Sequence, residues 1–146
     1  MSAPSLSLDE FVCFAIYTAN GAFNRAYKPA LNAIGLTYPQ YLAMVALWAK
    51  DGVTVGALGE QLFLESNTLT PLLKRLEAAG LVTRQRDAED ERQVRVHLTD
   101  EGRALRLKAA SVPESIVGAL GSAAAPEDIG RLRDEIARLR DALNAR

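Results

Sequence analysis

The sequence carries one cysteine, one histidine and one tryptophan in 146 residues, and only 6% of it is aromatic. A single cysteine excludes an internal disulfide framework. No His, Cys and carboxylate residues recur at metal-ligand spacing, and no glycine-rich phosphate loop interrupts the chain, so neither a metal nor another cofactor is expected. No apolar run approaches the roughly 20 residues that span a bilayer. No basic stretch precedes Arg25 to mark a secretory leader, so a soluble, cytoplasmic protein without membrane contact is the expectation. An excess of charge is missing too: 17 Lys and Arg face 18 Asp and Glu, a formal net charge of −1. Any nucleic-acid surface must then be a local basic patch on a neutral or acidic body. Repeats and low-complexity tracts are absent, and the one linker-like stretch is GSAAAP at 121–126. No catalytic constellation is visible.

What is there suits one packed unit. With 49% hydrophobic residues, a chain of this length builds a sizeable core and leaves no room for a separate catalytic domain. The densest pattern runs from Thr54 to Gly102. Thr54 precedes a short helix with Val55, Leu58 and Leu62 on one side, and a turn at Leu64 to Ser66 leads into TLTPLLKRLEAAGL. There Leu69, Leu72, Leu73 and Leu76 form one buried stripe at helical spacing. Asn67, Pro71 and Lys74 fall on the opposite face, flanked by Thr68, Thr70 and Arg75, all small or basic groups able to reach base edges and phosphates. Ser66 is placed to cap this helix and Gly80 to end it in the left-handed region. Leu81–Arg86 and Gln93–Leu98 then read as a hairpin whose second strand alternates Val94, Val96 and Leu98 inward with Arg95 and His97 outward. DAEDER is its tip. Arg84, Arg86, Arg92 and Arg95 are available to a DNA backbone, and an arginine at the tip suits a narrow minor groove. The pattern over 54–98 is a winged helix-turn-helix, in a chain that is mainly α with a small β-hairpin wing. Such a module binds DNA or docks on a protein, and periodicity alone leaves both open.

The rest reads as helices. Ser7 and Glu10 have capping-box spacing ahead of FVCFAIYTANGAFNRAYKPAL, whose apolar residues occupy most of the circumference, with Pro29 as a kink or a break near the end. Thr37 and Gln40 repeat that spacing before a second core helix holding Met44 and Trp48. Pro126 opens a last helix in which Ile129, Leu132, Ile136, Leu139 and Leu143 make an apolar seam. Apolar helices over 8–34 and 113–146 suit either packing within one subunit or dimerisation, and a small protein with such helices at both ends favours a homodimer.

The run LTPLLKRLEAAGLVTRQRDAEDERQVRVHLTDEG resembles the core of the MarR family of bacterial regulators, including the Asp90-Glu91-Arg92 tip and the Leu98-Thr99 exit with Gly102. The resemblance covers nearly the whole chain, 1–146, as a single MarR-like unit. It implies a homodimer on a pseudo-palindromic double-stranded operator, acting as a repressor, with Arg92 entering the minor groove.

Cys13, placed about two turns into the first helix, has two readings: a small buried hydrophobe, or a sensor thiol. Tyr17 lies at i+4 on its face. Tyr27 is fourteen residues on, about 21 Å along one helix, so it reaches Cys13 only from the partner of a two-fold dimer whose first helices cross antiparallel. Phenolic hydroxyls that donate to a sulfur favour its anion. The stretch VCFAIYTANGAFNRAYKPALNAIGLTYPQYLAMVALW resembles the organic hydroperoxide sensors of the MarR family. That resemblance implies that Cys13 is the oxidised cysteine, Tyr27 and Tyr38 are the partner-chain tyrosines bonded to it, and Tyr17 is a nearby tyrosine. This chain lacks the second, resolving cysteine of some members, which implies the one-cysteine route: a mixed disulfide with a small cellular thiol, or further oxidation. The alternatives are a repressor released by a small phenolic or lipophilic ligand, with Cys13 structural, and a thiol peroxidase. The last has neither a resolving cysteine nor an activating base beside Cys13, and a non-enzymatic regulator is expected.

Overall fold

The computed structural model describes residues 6–145, and three of its helices start where a threonine side chain accepts a backbone amide. Thr37 accepts a hydrogen bond from the Gln40 amide while the Gln40 side chain accepts one from the Thr37 amide, closing a capping box ahead of α2 (Tyr38–Ala49). Thr54 caps α3 (Val55–Leu62) by accepting from the Ala57 amide. Thr99 does the same for α5 (Asp100–Ala109) from the Gly102 amide. At the end of α4 (Ser66–Ala78), Gly80 takes φ 79°. Its amide donates to the Glu77 carbonyl and that of Leu81 to Leu76, which satisfies the last turn in a Schellman arrangement.

Two expected caps are corrected. Ser7 makes no side-chain cap bond: Glu10 donates to the Ser7 carbonyl and Phe11 to Leu8, so a 3₁₀ turn uses those amides. The helix α1 (Val12–Ala33) starts only after extended Phe11, one turn later than the pattern implied. Ser66 is likewise the first residue of α4 rather than its cap, because the backbone carbonyl of Glu65 takes the Thr68 and Leu69 amides. Pro29 lies inside α1, which continues past it to Ala33.

The wing strands β2 (Val82–Arg86) and β3 (Val94–Leu98) pair antiparallel, Val82 opposite Leu98 and Arg86 opposite Val94. A third strand, β1 (Val53–Thr54), joins the far side of β3 with Val53 opposite Val96, giving the order β1-β3-β2. Two residues are too few to show alternation, so the sequence reading had missed it. Met44 and Leu47 of α2, Leu58 of α3, and Leu69, Leu73 and Leu76 of α4 close one core with Val82 and Val96 of the sheet. Trp48 is half-buried, and its indole N–H donates to the Gly102 carbonyl at 2.8 Å. A Cβ added at Gly102 would land on the Leu81 carbonyl oxygen, so only glycine lets α5 approach the wing root.

The helices α6 (Val112–Leu120) and α7 (Pro126–Asn144) lie outside that lobe in sequence, and α6 packs along α1. Pro126 opens α7 as expected, but the seam is uncovered: Leu132, Leu139 and Leu143 are 50%, 46% and 69% exposed. No helix among the described residues is long and apolar enough to cross a membrane.

Candidate nucleic-acid interface and redox site

The stripe of α4 leucines faces the core, which leaves Ser66, Asn67, Thr68, Pro71, Lys74 and Arg75 exposed on the other side; Thr70 is half-buried. The α4 surface is therefore small, polar and basic, and its orientation is fixed by the leucines beneath it. The four wing arginines are not equivalent. Arg84 is not a free cation: its Nη2 meets Glu77 Oε1 at 3.1 Å and its amide donates to Glu77 Oε2 at 3.0 Å, which ties β2 to α4. These side-chain and backbone hydrogen bonds hold the Glu77 carboxyl below its ordinary range. The Arg84 Nε is buried without a hydrogen-bond partner. Arg95, expected outward, instead bonds Asp87 at 3.1 Å and the Gly52 carbonyl at 2.7 Å.

Arg86 donates to the Glu91 carbonyl at 2.8 Å and stays exposed. Arg92 stands at the tip with its side chain 90% exposed, touching only Asp90, whose carboxyl that contact lowers. His97, expected on the surface, is half-buried against Gly52. An extended arginine tip beside a polar helix face is a shape that fits a minor groove next to a major groove.

Cys13 is exposed and is the second residue of α1. Tyr17, one turn on, is also exposed. Tyr27 and Tyr38 sit elsewhere in the chain, as a pair: their ring centroids are 4.9 Å apart, with Tyr41 6.2 Å from Tyr27 and edge-on to Trp48. Burial, then the neighbouring phenols, pushes Tyr27 and Tyr41 above the ordinary value of 10.0, and burial alone does so for Tyr38. All three therefore keep their protons at neutral pH and remain hydrogen-bond donors.

One chain thus brings Tyr27 and Tyr38 together and leaves Cys13 with Tyr17 at the other end of α1. The sequence reading had overlooked Glu77, although its place just before the Gly80 turn marks it as able to reach the first wing strand. It had also overlooked Phe63 and Arg140, which meet across the structure with no local signal in either segment.

Residues 25–107 match a family model described as transcriptional regulator SarA/Rot. The chain is 49% identical over 140 residues to the HTH-type transcriptional regulator TtmR of Methylorubrum extorquens, covering 96% of this chain and 71% of that protein. It is 42% identical over 139 residues to the organic hydroperoxide resistance transcriptional regulator of Bacillus subtilis, covering 95% and 93%. Reduced AbfR bound to DNA has the same fold, with TM-score 0.76 and 35% identity over 90% of this chain and 91% of that one. Overoxidised AbfR bound to DNA matches at TM-score 0.75 with the same identity and coverage.

Proposed function

Because the chain belongs to the SarA/Rot and MarR-type winged-helix transcriptional regulators, we propose that it is a homodimeric repressor that senses organic hydroperoxides through Cys13 and then releases its operator. The observation that carries this reading is the division of the named residues: an exposed cysteine in the first turn of α1, and Tyr27, about 21 Å further along that helix, paired with Tyr38 of α2. Two α1 helices crossing antiparallel bring each Cys13 to the other chain's Tyr27 and Tyr38. The likeness to the Bacillus subtilis regulator supports the signal, and the likeness to AbfR bound to DNA supports DNA as the partner.

In the reduced dimer the phenols donate to the Cys13 sulfur, while Asn67, Thr68, Pro71, Lys74 and Arg75 face the major groove and Arg92 the minor groove. Ser66 and Thr70 border that surface, Arg86 lies beside the backbone, and Arg84 acts through its hold on Glu77. The Cys13 sulfur attacks the outer peroxide oxygen, an S–O bond forms as the O–O bond breaks, and the departing alkoxide takes up the proton that the thiol gives up, so an alcohol leaves and Cys13 becomes sulfenic acid. A small thiol then condenses with it, releasing water and forming a mixed disulfide. Either product puts an added oxygen or a second sulfur where the phenols donate to the Cys13 sulfur, so the tyrosine contacts between chains break and the two DNA-reading lobes lose register.

Complementation between variants tests the arrangement. Dimers of Cys13→Ser alone, or of Tyr27→Phe with Tyr38→Phe alone, should hold operator DNA and respond weakly or not at all to peroxide. A mixed dimer has one complete site across the chains and should regain the response; a mixed dimer as inert as its parents would refute the cross-chain site.

A second reading has an observation of its own. A cavity of about 440 Å³ between α1, α6 and α7 is lined by Phe23, Tyr27, Ile116, Leu120 and Ile129 with Arg133 at its edge, a setting for a lipophilic or phenolic acid. Release of operator by such a ligand without oxidant, unchanged by Cys13→Ser, would favour it.

A further inference from the structure

The turn between α3 and α4 holds the one non-glycine residue with positive φ among the described residues: Phe63, at φ 57° and ψ 39°. A bulky residue resists that conformation, and most helix-turn-helix turns of this tightness suit glycine. Its amide nevertheless donates to the Glu60 carbonyl, and Leu64 donates to Gly59. A Cβ on Gly59 would come within 2.9 Å of the Leu64 carbonyl oxygen, so the turn is folded tightly on α3. The Phe63 ring is pushed outward by this geometry and is 54% exposed. Over it lies the guanidinium of Arg140, from the last turns of α7, 4.2 Å from the ring centroid. Arg140 also bonds Asp141 at 3.0 Å, which steadies the head group. Asn144, one turn further, borders the same hollow as Gly59, Phe63 and Leu69.

The C-terminal helix, whose seam is exposed from Leu132 to Leu143, therefore ends on the turn that aims the reading helix. Taking the DNA-reading role of α4 as given, we infer that Phe63 and Arg140 are positioning residues for it: the ring held in the left-handed turn and the cation above it fix α4 relative to α7. Neither residue touches DNA in this arrangement. The pair acts through geometry, so it governs selective binding at the operator, where both lobes must sit in register, and leaves charge-driven binding to arbitrary DNA unchanged.

The test measures affinity for operator and for random duplex at several salt concentrations, for Arg140→Ala, Phe63→Leu, the double variant and Phe63→Tyr. A cation over an exposed ring predicts a loss on the order of 2- to 5-fold in operator affinity for each single variant. The double variant should lose no more than the worse single, Phe63→Tyr should behave as wild type, and random-duplex affinity should stay level. Additive losses, or equal losses on both duplexes with a smaller salt slope, would overturn the proposal by making Arg140 a phosphate contact or the two residues independent. Arg140→Ala alters only a surface side chain, so its operator-to-random ratio decides the matter even where Phe63→Leu fails to fold: an unchanged ratio refutes the proposal. A wild type that shows no operator preference refutes the DNA reading and this inference together, whereas a selective wild type with uncoupled variants refutes this inference alone.

Discussion

The winged lobe and the terminal helices have similar apolar content and opposite fates. In the lobe, Leu69, Leu73, Leu76, Val82 and Val96 are sealed within one chain, and Thr54, Thr99 and Gly80 close the helix ends. On α7, four seam residues, Leu132, Ile136, Leu139 and Leu143, stay exposed, and near the start of α1 Val12 and Ile16 do too. A single chain thus completes its reading module and leaves its other half unfinished. Apolar faces of that extent call for a partner surface, and a second copy supplies the same faces by symmetry. The difference teaches where the two halves part: the lobe is held by its own core, while the proposed sensing at Cys13 would depend on how two chains meet.

The comparison breaks first at its most buried point. Leu73→Ala, in a fully enclosed position, should cost about 2–5 kcal/mol of folding stability by urea titration. Leu139→Ala should stay within about 0.5 kcal/mol per chain when unfolding is followed through Trp48 at low protein concentration. It should raise the dimer dissociation constant instead, read by sedimentation. Equal unfolding losses for the two would mean that α7 belongs to the core of its own subunit.

A smaller effect separates reading from folding within the lobe. Arg92→Ala should weaken operator binding by about tenfold, the scale of one well-placed contact to a base or groove, with the melting temperature unchanged. Arg84→Ala should do the reverse, lowering stability through loss of the tie to Glu77 before it lowers affinity. An Arg92→Ala protein with wild-type affinity at every salt concentration would remove the wing tip from the interface.

The smallest effect lies at the seam between the two regions, where Tyr27 of α1 meets Tyr38 and Tyr41 of α2. Burial raises these phenols above 10.0 in the folded chain. Folded protein therefore holds protons that unfolded protein gives up, so their contribution is intact below pH 10 and is lost as pH climbs through the raised values. Stability should decline above pH 10, and Tyr27→Phe with Tyr38→Phe should flatten that decline. A slope unchanged in the double variant would assign the alkaline loss to other groups.

Much of the lobe was legible because its signals are local. A threonine three residues before its bonding partner, a leucine every three or four positions and a glycine after the last leucine each fix backbone within one or two turns. Ser7 and Ser66 misled because backbone carbonyls at Ser7 and Glu65 satisfied the amides that their side chains were expected to cap. The Arg84 and Arg95 partners were hidden for a different reason: strand alternation tells which side a residue faces, and says nothing of whether a carboxylate waits there. Phe63 and Arg140 are far apart in sequence, and only the path of α7 brings them together. The residues proposed for sensing, Cys13, Tyr17, Tyr27 and Tyr38, were named through the resemblance to hydroperoxide sensors; spacing alone showed only that Cys13 and Tyr17 share a face and that Tyr27 lies too far along α1 to reach Cys13 within one chain.

The most direct measurement is operator binding by wild type and Cys13→Ser, before and after about one equivalent of an organic hydroperoxide, with intact mass read on the same samples. Release by wild type alone, with added oxygen or a thiol adduct on Cys13, is the predicted result. Release by both proteins, or by neither while Cys13 is oxidised, would contradict the account.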